Sequence, residues 1–177
     1  MSKMPRFPIL VAGLAALSVA SFAAAQNSVS ALKGHNADAP IDVAADRIEV
    51  QDRSDRAVFV GNVHVRQASL TLDTERLTVA YSSGGGIQIR RLDASGGVVV
   101  KSPSETARGN FGIYDLDRKL ITLVGGVQLS RAGSQINGQR LTIDLNSGRA
   151  VVDGGPAGIG QSGGRVTGRF TPPRRGN

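Results

Sequence analysis

The sequence contains no cysteine, which excludes disulfides, thiolate metal sites and cysteine nucleophiles together. A chain of 177 residues needs no such staples, because a domain of about 150 residues can hold itself by burial alone. Aromatics are scarce: between residues 38 and 153 they are Phe59, Tyr81, Phe111 and Tyr114, too scattered for the stacking platforms of single-strand nucleic-acid binders. The only histidines are His35 and His64, both read as solvated side chains. No stretch beyond the first 25 residues keeps helical periodicity for three turns, so no serine occupies a strand-to-helix nucleophile elbow and no glycine run feeds a phosphate-binding helix. Gly84-Gly85-Gly86 and Gly125-Gly126 are read as turns. Asp42, Asp46 and Glu49 fall on the polar face of their strand, where carboxylates keep ordinary acidity. The chain reads as no enzyme, with no cofactor and no metal.

Long apolar runs are missing too, with one exception. Lys3 and Arg6 precede an apolar run from Phe7 to Ala20, and Ala23 and Ala25 stand before Gln26. That order is a secretory signal, and the run is shorter than the ~20 residues of a membrane span. Residues 1–25 are therefore expected to be removed after Ala25, leaving an exported protein. Acidic residues are the minority, 14 against 21 basic. The net charge of +7 falls by two to +5 once Lys3 and Arg6 leave, a balance that suits anionic partners such as phosphorylated glycolipid, acidic polysaccharide or, least of these, nucleic acid, and equally a basic surface with no particular partner.

What the sequence does contain is repetition. "RIEVQDRSDRAVFVGN" from Arg47 aligns without a gap on "RLTIDLNSGRAVVDGG" from Arg140. "GNVHV" at 61, "GGVVV" at 96 and "GGVQL" at 125 each set glycine before an apolar alternation, and "GGP" follows at 154. The last two intervals are 29 residues and the first is 35; a fixed period of this size signals a stacked architecture. Within the units, Val, Ile, Leu and Thr alternate apolar and polar with period two, broken by turn signals such as "DRSD", "SSGGG" and "NSG". The expected fold is all-β: an elongated jelly roll or solenoid-like stack of short antiparallel strands around an apolar interior groove. Residues 26–37 form a flexible lead-in, 38–153 the β-domain, and 154–177 a Gly/Pro/Arg-rich tail with a last short strand expected at 165–171.

Alternation, restarted outward from each glycine, assigns an inner face. It collects Val58, Val60, Val63, Val65, Leu72, Leu77, Val79, Tyr81, Val98, Val100, Phe111, Ile113, Leu123, Val127, Leu129, Leu141 and Ile143. Thr78, Thr122 and His64 fall on the outer face. Such a set packs either as a solid core or as an elongated greasy groove, and periodicity does not choose between them.

The stretch from Asp38 to Tyr81 resembles the OstA-like family of periplasmic lipopolysaccharide-transport bridge proteins. Its marks are Pro-Ile-x-Val-x-Ala-Asp at Pro40 to Asp46, Phe-x-Gly-Asn-Val-x-Val at Phe59 to Val65, and the strand from Asp73 to Val79. "ARGNFGIYDLDRKLITLVGGVQL" and "SQINGQRLTIDL" are similar to two further units of the family, so the resemblance covers residues 38 to 153. It implies a β-jelly roll that binds the lipid A part of lipopolysaccharide and assembles head to tail. The implied partners are lipopolysaccharide, further copies of the chain, and inner- and outer-membrane components of the same pathway, with no nucleic acid.

On this reading the inner set is the lipid-binding interior. Arg47, Arg76, Arg90, Arg91 and Arg140 start strands near the expected rim and are candidates for lipid phosphates, against the plainer reading of solvated arginines. Ile41, Asp42 and Val43 form the amino-terminal assembly edge, an open strand differing from the edge at the other end, so that contact propagates instead of closing. The competing reading is a secreted structural β-solenoid, an adhesin or matrix protein, with a dry core.

Overall fold

The computed structural model describes Leu32, residues 35–155 and residues 164–171; the expected export signal lies outside them. The alternating segments become ten strands: β1 (Ile41–Ala44), β2 (Arg47–Gln51), β3 (Arg56–Gln67), β4 (Leu70–Ser82), β5 (Gln88–Lys101), β6 (Glu105–Asp115), β7 (Leu120–Arg131), β8 (Ser134–Asp144), β9 (Arg149–Asp153) and β10 (Thr167–Arg169). All pairings are antiparallel. β3 to β8 form one meander in chain order, while β1 and β2 both pair with β3, and β9 and β10 both pair with β8. Each end of the meander is thus a strand broken in two.

The long strands are interrupted at mid-length, and this creates the fold. β3, β5 and β7 place two residues there, Gly61-Asn62, Gly96-Gly97 and Gly125-Gly126, all with positive φ. β4, β6 and β8 place one polar residue against them, Glu75, Asn110 and Gln139, and the ladders shift register at these points. Two residues opposed to one make a bulge that bends and twists a strand. At Gly125, φ is +83° and a Cβ would lie 2.9 Å from the Asn110 amide nitrogen; at Gly96 it would lie 2.7 Å from Glu75 Cβ. Only glycine combines that left-handed backbone with that approach. Because the bulges align from strand to strand, the meander creases into two half-sheets whose apolar faces meet. Tyr114 of one half reaches Gln67 of the other at 2.9 Å, and a single core cluster spans both.

The crease also decides which side chains enter the core. The two-residue bulges keep inward parity on both sides: Ala57 and Phe59, then Val63 and Val65, pack on the core of β3. The single-residue positions reverse it, so β4 buries Leu70 and Leu72 before Glu75 but Leu77 and Val79 after it. Successive register partners Leu77, Ala94, Gly112, Leu123 and Leu141 make one inward row across the second half-sheet. Of the residues assigned inward by alternation, Val63, Val65, Leu72, Leu77, Val79, Val98, Val100, Leu123, Val127, Leu129, Leu141 and Ile143 lie in this cluster.

Four residues are placed differently. Val58 and Val60 face outward, because β3 does not change face at its glycine; Val58 is covered there, outside the main cluster. Phe111 and Ile113 also face outward, because β6 does change face at Asn110, and Phe111 is 57% exposed. Gly112 and Tyr114 take the inner positions instead. Tyr81 is half-buried near the end of β4, its hydroxyl directed to Asp52 at 3.4 Å.

The two echoing segments are two equivalent hairpins, β2–β3 and β8–β9, each turning through a left-handed residue, Asp55 or Gly148. Their surroundings differ. Leu141 lies between two paired neighbours with no exposure, whereas its equivalent Ile48 is 56% exposed on the terminal strand.

The parity difference has a direct consequence for stability. Leu123→Ala leaves a cavity in the central row and is expected to cost about 2–5 kcal/mol, whereas Phe111→Ala should cost less than about 1 kcal/mol. Urea denaturation of the two variants checks this; equal losses would place Phe111 in the core after all.

Candidate functional site: the cleft between the half-sheets

The half-sheets are joined along the crease and open on the opposite side, where the hairpin turns form two lips. One lip comprises the turns at 67–70, 101–105 and 131–134; the other comprises those at 82–88, 115–120 and 144–149. The space between is apolar and, at the described residues, holds two cavities of about 10 Å³ each, one beside Val65, Leu72 and Tyr114, the other beside Val100, Leu129 and Ile143. Each is at the lower limit for a single water. A larger guest enters at these two places only if the lips part.

A polar clasp ties the lips together. Gln67 ends the inward series of β3, and the residue is only 2% exposed. Its amide is fully used: Nε2 donates to the carbonyls of Ala37 at 2.9 Å and Ala39 at 3.0 Å, and Oε1 accepts from Tyr114 Oη at 2.9 Å and His35 Nε2 at 3.1 Å. Burial pushes the Tyr114 hydroxyl up to about 12, with Gln67 pulling the other way and Asp38 adding to the rise. Tyr114 therefore stays protonated and donating at any physiological pH. His35, read from sequence as solvated, is half-buried here, with Nδ1 enclosed and unpartnered.

Two more polar groups are in the inward phase: Thr74, whose hydroxyl donates to the Ser95 carbonyl at 2.8 Å, and Glu105. Glu105 has its register partner Arg131 at 3.3 Å, while its own side chain is only 4% exposed. Oε1 forms no well-aligned hydrogen bond, so the contact is an ion pair of poor geometry. Burial raises the Glu105 carboxyl above its ordinary value, and Arg131 offsets the rise only in part.

Of the segment 26–37, expected to be a flexible lead-in, the described residues Leu32 and His35–Ala37 lie at the mouth. Leu32 belongs to the core cluster. Asp38 Oδ1 on the same segment lies 3.2 Å from Lys119 Nζ on the far lip.

Of the candidate arginines, Arg90 stands at the far lip, its carbonyl accepting from Leu116 N–H, whereas Arg47, Arg76 and Arg140 are not at the mouth. Arg47, Val60, Arg76, Ser95, Phe111, Val124, Arg140 and Asp153 are successive register partners. They form an outward row beside the crease, on the side of the sheet away from the opening. Their places at strand starts suggest a rim, but Arg47, Arg76 and Arg140 lie next to the bulges, which turn those positions into the spine. Arg90 is engaged by Asp117, its Nε at 2.6 Å, and Arg91 by Asp93 at 2.7 Å. On the outer face, His64 bonds Asp73 at 2.6 Å, and Lys101 reaches the same carboxylate at 3.0 Å. Partial burial raises the Asp73 carboxyl, but those two partners outweigh it and hold it below the usual range. Among the described residues no group of three His, Cys, Asp or Glu is arranged to hold a metal, and no helix is long and apolar enough to cross a membrane.

The ends of the cleft carry the edge residues. β1 pairs with β3 on one side only among the described residues; Ile41 and Val43 lean on the core while Asp42 is exposed. Beside it, Ile48 and Val50 stand opposite the inward Phe59 and Ala57, yet Val50 is 58% exposed. The inner face is uncovered at this end. At the other end β10 pairs with Gln135–Asn137 of β8, and Phe170 next to it is exposed. Sequence reasoning missed Leu32, Gln67, Glu105 and Lys119. Gln67 and Glu105 were discoverable as polar residues in inward phase with Val63-Val65 and Ala107.

Glu105 makes stability depend on pH. A carboxyl raised in the folded state favours the protonated form, so its contribution is greatest below its unfolded value of about 4.3 and is lost as pH rises through its folded value. Glu105→Gln is therefore expected to melt higher than the parent at pH 7.5, with the difference vanishing towards pH 4. Thermal melts across that range test it; a pH-independent difference would assign the effect to packing.

Residues 42–149 match the family model described as LptA/(LptD N-terminal domain) LPS transport protein. An uncharacterised protein of Rhizobium meliloti (strain 1021) is 34% identical over 176 residues, spanning 94% of this chain and 91% of its own length. The crystal structure of LptH, the LptA-homologous periplasmic component of the lipopolysaccharide transport device of Pseudomonas aeruginosa, superposes with a TM-score of 0.64. That match has 21% identity and covers 78% of this chain and 99% of the other, a likeness of fold. The family match extends from within β1 to the start of β9 and so takes in the whole creased meander; the chain belongs to the LptA/(LptD N-terminal domain) family of lipopolysaccharide-transport proteins.

Proposed function

We propose that the protein is a periplasmic carrier that shields the acyl chains of lipid A between its half-sheets and joins end to end with itself and related jelly-roll partners, bridging the two membranes. The observation that carries this reading is the cleft itself: an interior of Val, Leu and Ile that spans the meander and is uncovered beside Ile48 and Val50. Each methylene withdrawn from water contributes about 0.8 kcal/mol, so an acyl chain of a dozen carbons needs an apolar sleeve to cross an aqueous space. Aliphatic walls supply one without demanding a defined chain geometry. The export signal at 1–25 and the lipopolysaccharide-transport family support the periplasmic assignment. The two small cavities beside Val65 and Val100 favour the dry-core scaffold as the second reading, because at those places the lips must part before lipid enters.

A photo-crosslinking residue at Val79, Leu123 or Ile143 is expected to capture lipopolysaccharide, and one at Thr78 or Thr122 is not. Equal capture on both faces, or none, would remove the carrier reading and leave the scaffold.

Assembly follows from the edges. Successive N–H groups along β1 alternate between β3 and the open side, so either Asp42→Pro or Val43→Pro removes a free edge donor while sparing the ladder. That variant should stay folded by circular dichroism and lose the concentration-dependent growth in mass seen by light scattering. Oligomers unchanged in both variants would rule out strand addition at β1.

A further inference from the structure

We infer that Leu32 and His35–Ala39 form a built-in stand-in for the lipid, occupying the mouth of the cleft and leaving it when lipopolysaccharide enters. This inference rests on the carrier reading and assigns its regulation. The segment presents the two kinds of group that a phosphorylated, acylated lipid presents. Leu32 is 7% exposed and lines the inner cavity with Val100, Ala107, Leu129 and Ile143, residues drawn from both half-sheets. Six residues later, the Asp38 carboxylate sits on the lip lysine, with Oδ1 and Oδ2 at 3.2 and 3.3 Å from Lys119 Nζ. An acyl chain and an anionic headgroup would make the same pair of demands, on the apolar seat and on Lys119.

The way the segment is held suits release. Among the described residues its backbone donors bond locally, His35 N–H to the Leu32 carbonyl and Ala39 N–H to the Asn36 carbonyl, and the ladder with β3 begins only at Ile41. Its described ties to the rest of the protein are three hydrogen bonds with the Gln67 amide, the Leu32 side chain and one ion pair, whose Asp38 side chain is 80% exposed. Exposed pairs of this sort hold weakly. With the segment gone, Lys119 is freed at one lip and Gln67 loses three of its four partners, while the Gln67–Tyr114 bond still spans the lips. In the empty protein the segment keeps water out of the cleft. The apparent affinity for lipid is then the intrinsic one reduced by the fraction of molecules whose mouth is open.

The test uses the full mature chain and lipopolysaccharide, with the deacylated phosphorylated saccharide as control. Hydrogen exchange is followed in residues 35–40 and in β4 to β8, and affinity is measured for the parent and for Leu32→Ser. Lipopolysaccharide should speed exchange in 35–40 while slowing it in the inner strands, and the saccharide alone should do neither. Leu32→Ser should bind about tenfold tighter, because burial of a leucine side chain holds the closed state by at least that factor. If lipid binds but 35–40 exchanges unchanged or more slowly, and Leu32→Ser binds like the parent, the stand-in is wrong and the carrier reading survives. If neither protein retains lipopolysaccharide, the carrier reading falls and takes the stand-in with it.

Discussion

Everything in this molecule depends on a row of β-bulges that cross the sheet at one level. A meander of strands 11 to 14 residues long would, if left flat, bury one face against nothing. Opposing two left-handed residues on one strand to a single polar residue on the next bends every strand at the same place. One sheet then becomes its own packing partner, and its apolar face is buried without a second layer or a helix. The price in sequence is specific: small or left-handed residues on the odd strands, and Glu75, Asn110 and Gln139 on the even ones.

That crease also determines where function can reside. The spine is continuous backbone ladder, so it cannot open, and the arginines Arg47, Arg76 and Arg140 stand outside it. The mouth lies opposite, where hairpin turns meet no ladder and the two halves are tied only by side chains. Gln67 and Tyr114 make the direct link, and Glu105 with Arg131 lies near it on one lip. A cleft hinged at bulges and fastened by a few hydrogen bonds can be closed when empty and still admit a guest. The small size of the two cavities beside Val65 and Val100 agrees with this, because an aliphatic cleft standing open to water would be unfavourable. The half-strands at the two ends extend the same logic: they leave backbone edges and, beside Ile48 and Val50, an uncovered piece of interior.

The basic balance of the chain takes on a different meaning in three dimensions. Two of the arginines are already committed to carboxylates, Arg90 to Asp117 at the far lip and Arg91 to Asp93. A cation that meets the amino-terminal segment at the mouth is Lys119, whose sequence neighbourhood, "DLDRKL", reads as an ordinary turn. Charge counted along the chain predicts an anionic partner in general terms and says little about where it would bind.

Much was legible in the residues alone. Period-two alternation of Val, Ile, Leu and Thr specified strands, the recurring glycines marked the bulges, and the echo of Arg47–Asn62 in Arg140–Gly155 marked two equivalent hairpins. These are local properties, set by backbone sterics and by which side chains avoid water. Face assignment was not local. Whether Phe111 or Tyr114 points inward depends on how many residues the neighbouring strand inserts at the crease, a quantity fixed only when β5, β6 and β7 pair. Likewise Gln67, Glu105 and Lys119 stand far apart in sequence from the segment around Leu32. They meet it only because the crease brings opposite ends of different strands to one mouth. Sequence determined the strands and the points at which they bend; tertiary structure decided which face became the interior and which groups guard its opening, because both follow from pairing between strands and not from the conformation of any one of them.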